Sequence, residues 1–197
     1  MPFDPLDEVD AEILEAFRRN RGYAGFFEWS PDRDLAEYGA VESLGKSLAA
    51  HGALFFHDLA IRGRPNDPPD LEAVDDKGQR IGIEVTELVD RKAIQAYIEG
   101  RTSEAAEWAR NDFLISLHSL LRTKNNRFPK LKGAPYPGGY VVVVFTDETF
   151  LPRPTVAQHL VGHTFSQLRD IDRAFLLLSY DPSIKGYPYF ELNIQRA

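Results

Sequence analysis

The chain has 197 residues, 43% of them hydrophobic and 12% aromatic, enough for one domain with a packed core and unlike a disordered composition. It contains no cysteine, so disulfides, thiolate zinc sites and cysteine nucleophiles are excluded. Its formal net charge of −7 weighs against simple nucleic-acid binding, because phosphate affinity comes from Lys and Arg. No apolar run approaches the roughly 20 residues of a bilayer span, and the acidic start MPFDPLDEVD does not read as a signal peptide. The expectation is a soluble, cytoplasmic protein with no membrane partner.

Residues 5–19 carry Leu6, Val9, Ile13, Leu14 and Phe17 near helical spacing, and the aromatic, glycine-rich stretch 20–31 reads as a packed loop. These form an N-terminal helical extension, residues 1–31, ahead of an α/β domain, residues 32–197. Asp32 or Asp34 is placed to cap a second helix running to about His51, with Leu35, Tyr38, Val41, Leu44 and Leu48 on one stripe and Gly52 ending it. Glu42 lies at the edge of that stripe and Glu37 nearer its middle. Residues 53–61, ALFFHDLAI, read as a buried strand, followed by a loop over 63–69.

Residues 68–88 then predict a β-hairpin. Asp70 and Glu72 sit on its first strand, Glu84 on its second, and Asp76-Lys77-Gly78 supplies turn chemistry between them. Pairing centred on Lys77 sets Val74 opposite Arg80, Glu72 opposite Gly82 and Asp70 opposite Glu84. Like charges directly opposed repel, so a cation is expected between the last two, and a divalent metal is the usual one.

A helix is predicted over 102–123, on Ala105, Trp108, Leu114, Leu117 and Leu121. The segment RTKNNRFPKLK (122–132) holds five basic residues and no acid, and as a connecting loop it offers Lys124, Arg127, Lys130 and Lys132 to phosphate. After the breaker cluster 133–139, YVVVVFTD (140–147) is continuous and β-branched, as in a strand buried on both faces. A helix over 155–168 and strands at 174–181 and 189–194 complete the chain. The order predicts a mixed-sheet α/β sandwich, antiparallel at the hairpin and parallel where helices cross over. His159 and His163 have helical zinc spacing, but neither an intervening acid nor a third ligand accompanies them, so they read as helix-surface residues. No phosphate-loop, dinucleotide or nucleophile-elbow motif is present.

Over about residues 35–147 the chain resembles the PD-(D/E)XK nuclease superfamily, the restriction-endonuclease-like fold with a core ordered α-β-β-β-α-β. Pro69-Asp70 matches the start of the motif, and Glu84-Val85-Thr86 matches its second half except at the last residue, where the family has lysine. The helix segment Gly39-Ala-Val-Glu42 resembles that of members whose helix glutamate assists the metal. The resemblance implies a metal-dependent nuclease hydrolysing DNA phosphodiester bonds, with Asp70 and Glu84 holding Mg²⁺ or Mn²⁺ and Glu42 or Glu72 assisting. Thr86 would orient the water, and the absent lysine calls for a replacement cation, Lys92 or Arg110. DNA would be held by backbone contacts, and a homodimer is an arrangement many nucleases of this fold adopt. The alternative is a catalytically inactive member of the fold acting as a binding or assembly module, or a separate interaction protein that uses its acidic surface.

Overall fold

A computed structural model describes residues 33–90 and 108–196. The expected first helix, the loop at 20–31, the extension 1–31 and Lys92 lie outside these, as do positions 102–107 of the predicted long helix.

Helix α1 (Arg33–Ala50) ends where Gly52 adopts φ +65 and the amide of Ala53 bonds back to the Leu48 carbonyl. A glycine takes that left-handed turn without a Cβ clash. Its buried face runs through Glu37, Ala40, Val41, Leu44, Gly45 and Leu48, while Leu35 is exposed, so Glu37 and not Leu35 continues the stripe.

Strands β1 (His57–Ile61), β2 (Leu71–Val74) and β3 (Arg80–Glu87) follow, then α2 (Arg110–Asn125), β4 (Gly139–Thr146), α3 (Arg153–Leu160), β5 (Arg173–Leu178) and β6 (Tyr189–Glu191). The six strands form one sheet in chain order, antiparallel at both ends and parallel across β3, β4 and β5. This is an α/β fold on a mixed sheet. Among the described residues no helix is long and apolar enough to cross a membrane.

The sheet separates two cores. On one face α1 packs its Ala40, Val41, Leu44 and Leu48 on Ile81, Ile83, Val141, Val143 and Phe175. On the other, Phe113, Leu117 and Leu121 of α2 and Val156 of α3 cover Tyr140, Val142, Val144 and Leu176. Alternation along β4 assigns its side chains to the two layers, which is why the valine run reads as continuous.

The predicted elements differ in several places: the helix expected over 102–123 starts at Arg110 and runs to Asn125, and the strand expected over 174–181 ends at Leu178. The buried strand expected at 53–61 is a short edge strand over 57–61 with mostly exposed side chains, because only Phe56, Phe55 and Leu59 reach the core. The helix expected at 155–168 stops at Leu160, where Gly162 turns with φ +67 and Phe165 instead bridges to Ile194. The last strand closes at Glu191 rather than 194.

Gly138, at the entry to β4, has no room for a side chain. A Cβ there would lie 2.7 Å from the Gln79 carbonyl oxygen and 3.0 Å from that of Arg80, both backbone atoms. Gly138→Ala should therefore cost about 1–3 kcal/mol by forcing the strand entry apart. Gly82→Ala, whose nearest contacts are the movable Tyr136 ring at 3.3 Å, should cost clearly less, and urea titration of the two variants beside the parent chain reads the difference.

Candidate functional site

The hairpin has the register that its turn implies. Val74 pairs with Arg80, Ala73 with Ile81, Glu72 with Gly82 and Leu71 with Ile83. The turn itself is built on Asp75, whose carboxylate accepts from the amides of Lys77 and Gln79 at 2.8 Å each. Asp70 stands one residue before β2, and its Oδ2 accepts the Val85 amide at 2.7 Å, which fastens it beside Glu84. Both acids are buried, Glu84 completely.

The cation between them is Lys124. Its ammonium donates to Glu84 Oε2 and lies 3.4 Å from Asp70 Oδ2, and the lysine is itself 5% exposed. Lys124 comes from the last turn of α2, on the same face as the buried Leu117 and Leu121. Positions 114, 117, 121 and 124 follow helical spacing. That stripe is the signal in the sequence: a lysine at an inward position calls for a buried partner. Its backbone is held as well. The Lys124 carbonyl accepts from the Tyr140 hydroxyl at 3.0 Å and from the Arg127 amide at 2.9 Å, and Asn125 beside it accepts the Asp170 amide at 3.0 Å.

Arg127 adds a second cation. One arm of its guanidinium lies 3.0 Å from Glu84 Oε2 and the other 2.7 Å from Asp67 Oδ1. Glu84 thus receives both cations on one oxygen, while Oε1 is buried without a hydrogen-bond partner among the described residues. Burial is the largest influence on this carboxyl and, with the charge of Asp70 and against Lys124, pushes its pKa up to about 7. Burial likewise raises the Tyr140 phenol, with Glu84 adding to the effect.

On the other side of Asp70, Glu37 of α1 is 8% exposed and bonded by Arg33 at 2.6 Å. Burial and the nearby Asp70 charge raise its carboxyl above the ordinary range. Glu37, Asp67 and Asp70, with Arg33, Asp34 and Gly63, line a cleft of about 370 Å³. Glu37, Asp67 and Asp70 bring hard carboxylate oxygens, the donor type of a Mg²⁺-like ion, to this cleft, and Glu84 Oε1 is buried without a partner nearby; among the described residues no three acids or histidines are already gathered as a metal-holding group.

No protein-family model, curated protein or solved structure matches the chain.

Several expected site residues stand elsewhere. Glu42 is exposed and pairs with Lys46 at 2.8 Å, because its position on α1 faces solvent; Glu37 occupies the inward position instead. Glu72 is taken by Arg62 at 2.7 Å and by Arg80, and these hydrogen bonds, that of Arg80 foremost, hold its carboxyl below the usual range. Two guanidinium groups already hold both of its oxygens, which leaves it less available to a metal than Asp70 or Glu84. Arg110 is no replacement cation for position 86, since its guanidinium bonds the carbonyls of His159 and Val161 at 3.0 and 3.2 Å. Thr86 is half-buried two residues beyond Glu84 on the same face of β3.

The basic segment 122–132 is not a uniform phosphate strip. Lys124 and Arg127 turn inward to the acids, Lys132 donates to the Pro65 carbonyl at 3.1 Å, and Lys130 stays exposed. His159 donates from Nε2 to the Trp108 carbonyl, 3.0 Å away, and joins no metal set among the described residues.

Proposed function

We propose that the chain is a metal-dependent nuclease of restriction-endonuclease-like type that hydrolyses DNA phosphodiester bonds, with Lys124 in the role of the lysine missing at position 86. The observation that carries the reading is the convergence of Lys124 on Asp70 and Glu84 from a different element. The order α1-β1-β2-β3-α2-β4 supports it, since the family core runs α-β-β-β-α-β.

Asp70 and Glu84, with Glu37 from α1, would hold Mg²⁺ or Mn²⁺. The ion supplies an acidified water and neutralises charge on the scissile phosphate. The chain's own residues have separate tasks. The Val85 amide fixes the Asp70 carboxylate, and the buried strand position of Glu84 keeps bulk water from it. Lys124, anchored through its carbonyl to Tyr140, presents an ammonium where negative charge builds on the phosphate, which a threonine hydroxyl at 86 does not provide.

A second reading has one observation in its favour: Glu84 is already engaged by two cations, as in a site that no longer turns over and serves binding or assembly. Incubating the full chain with linear duplex DNA and Mn²⁺, beside calorimetric titration with Mn²⁺ alone, separates the two. The nuclease gives metal-dependent nicks and a saturable Mn²⁺ site; the inactive module gives neither.

A further inference from the structure

We infer that Arg127 is a displaceable guanidinium that holds Glu84 in the metal-free protein and turns to the substrate's phosphodiester when a divalent cation takes that carboxylate. This rests on the nuclease reading and adds to it a phosphate-binding residue with two seats.

The geometry supplies both seats. Arg127 is partly exposed, with 29% of its side chain accessible, and one arm reaches in to Glu84 while the other rests on Asp67. Asp67 also lines the cleft beside Asp70. The backbone at Arg127 is fixed by the hydrogen bond that its amide donates to the Lys124 carbonyl, so the swing belongs to the side chain alone. Lys124 differs: it is buried and bonded to both acids, and it stays.

Charge balance gives the direction. Asp67, Asp70 and Glu84 face Lys124 and Arg127, three negative charges against two positive. The Arg33–Glu37 pair is neutral within itself. A divalent ion on these carboxylates adds two positive charges to an acid-rich cluster, and an anionic phosphodiester beside it is favoured. A guanidinium freed from Glu84 then has a planar, two-donor fit to phosphate oxygens. Metal and Arg127 therefore compete for Glu84, whereas Arg127 and metal cooperate on the phosphate.

The test uses the full chain, MnCl₂ alone as the metal probe, and linear duplex DNA as the substrate. Arg127→Gln should bind Mn²⁺ about tenfold more tightly, because a charge-assisted bond no longer has to be broken, and should raise KM for DNA by about tenfold or more while kcat changes little. Asp67→Asn should act oppositely on the metal, weakening Mn²⁺ binding, since Arg127 then has Glu84 as its remaining seat. In the Arg127→Gln background, Asp67→Asn should have almost no further effect, which a residue acting directly on the metal would not show.

An Arg127→Gln chain with unchanged or weaker Mn²⁺ affinity, or an Asp67→Asn effect that persists in the double variant, overturns the inference while leaving the nuclease reading intact. A wild-type chain that neither binds Mn²⁺ nor cuts DNA overturns both. Should Arg127→Gln fail to fold, the Asp67→Asn affinity alone decides: a value equal to or tighter than wild type is fatal to the proposal.

Discussion

Lys124→Met should destabilise the protein by about 3 kcal/mol or more above pH 7, the largest stability effect expected of any side chain in the site. The reason is the environment of the two acids it joins. Glu84 is 0% exposed and Asp70 is 6% exposed, so neither carboxylate recovers water when the ammonium is removed. Arg127 remains on Glu84 but does not contact Asp70. The loss should shrink in acid. Glu84 already sits at about 7, and Lys124 is the main influence holding it down, so without that cation the carboxyl stays protonated to higher pH and escapes its burial penalty. Urea unfolding of both chains at about pH 8 and about pH 5.5 reads the difference; an equal loss at the two values would show that Lys124 is not paired with an ionised Glu84. On the nuclease reading, saturating Mn²⁺ should recover part of the lost stability, since an ion that binds the folded state alone replaces the missing positive charge.

Glu84→Gln and Asp70→Asn should each lower DNA cleavage by about a thousandfold or more, because each removes an oxygen donor from the proposed metal site and several kcal/mol of charge stabilisation with it. The two keep side-chain shape, so circular dichroism should be unchanged. Glu84→Gln carries a second signature that does not depend on catalysis. The folded carboxyl of the wild type titrates near 7 and an ordinary glutamate near 4.5, so the folded state binds the extra proton between these values. Stability from this group is therefore complete below about 4.5 and is lost as pH rises toward 7. The amide does not titrate, and the slope in that window should flatten. A Glu84→Gln chain that cut DNA at the wild-type rate would remove the nuclease reading; one that kept the slope would assign the titration to another group.

The hairpin was legible because its determinants are local. Glu72, Gly82, Val74 and Arg80 lie within a dozen residues of one turn, and the side-chain period of two converts that turn directly into facing pairs. Only the turn's details moved, from Asp76 as the first residue to the Asp75 carboxylate that caps it. The requirement for a cation between Asp70 and Glu84 was also readable, from like-charge repulsion alone. Its source was not. Lys124 looks like one more residue of a basic run until α2 is laid on the sheet, and then it continues the stripe of Leu117 and Leu121 into the acids.

Helix glutamates show the same division. Glu37 and Glu42 are both near the apolar stripe of α1, and periodicity alone leaves them five residues and about 140° apart. Packing decides between them: Glu37 faces the cleft by Asp70, and Glu42 faces solvent with Lys46. Sequence by itself determined the α/β alternation, the central valine strand, the hairpin register and the two acids, all of which follow from periodicities of two and 3.6 along contiguous residues. Tertiary structure alone decided which cation reaches those acids and that Arg127 spans Asp67 and Glu84. Those contacts join positions 40 to 60 residues apart in the chain, and only the packing of α1 and α2 on opposite faces of one sheet sets their geometry.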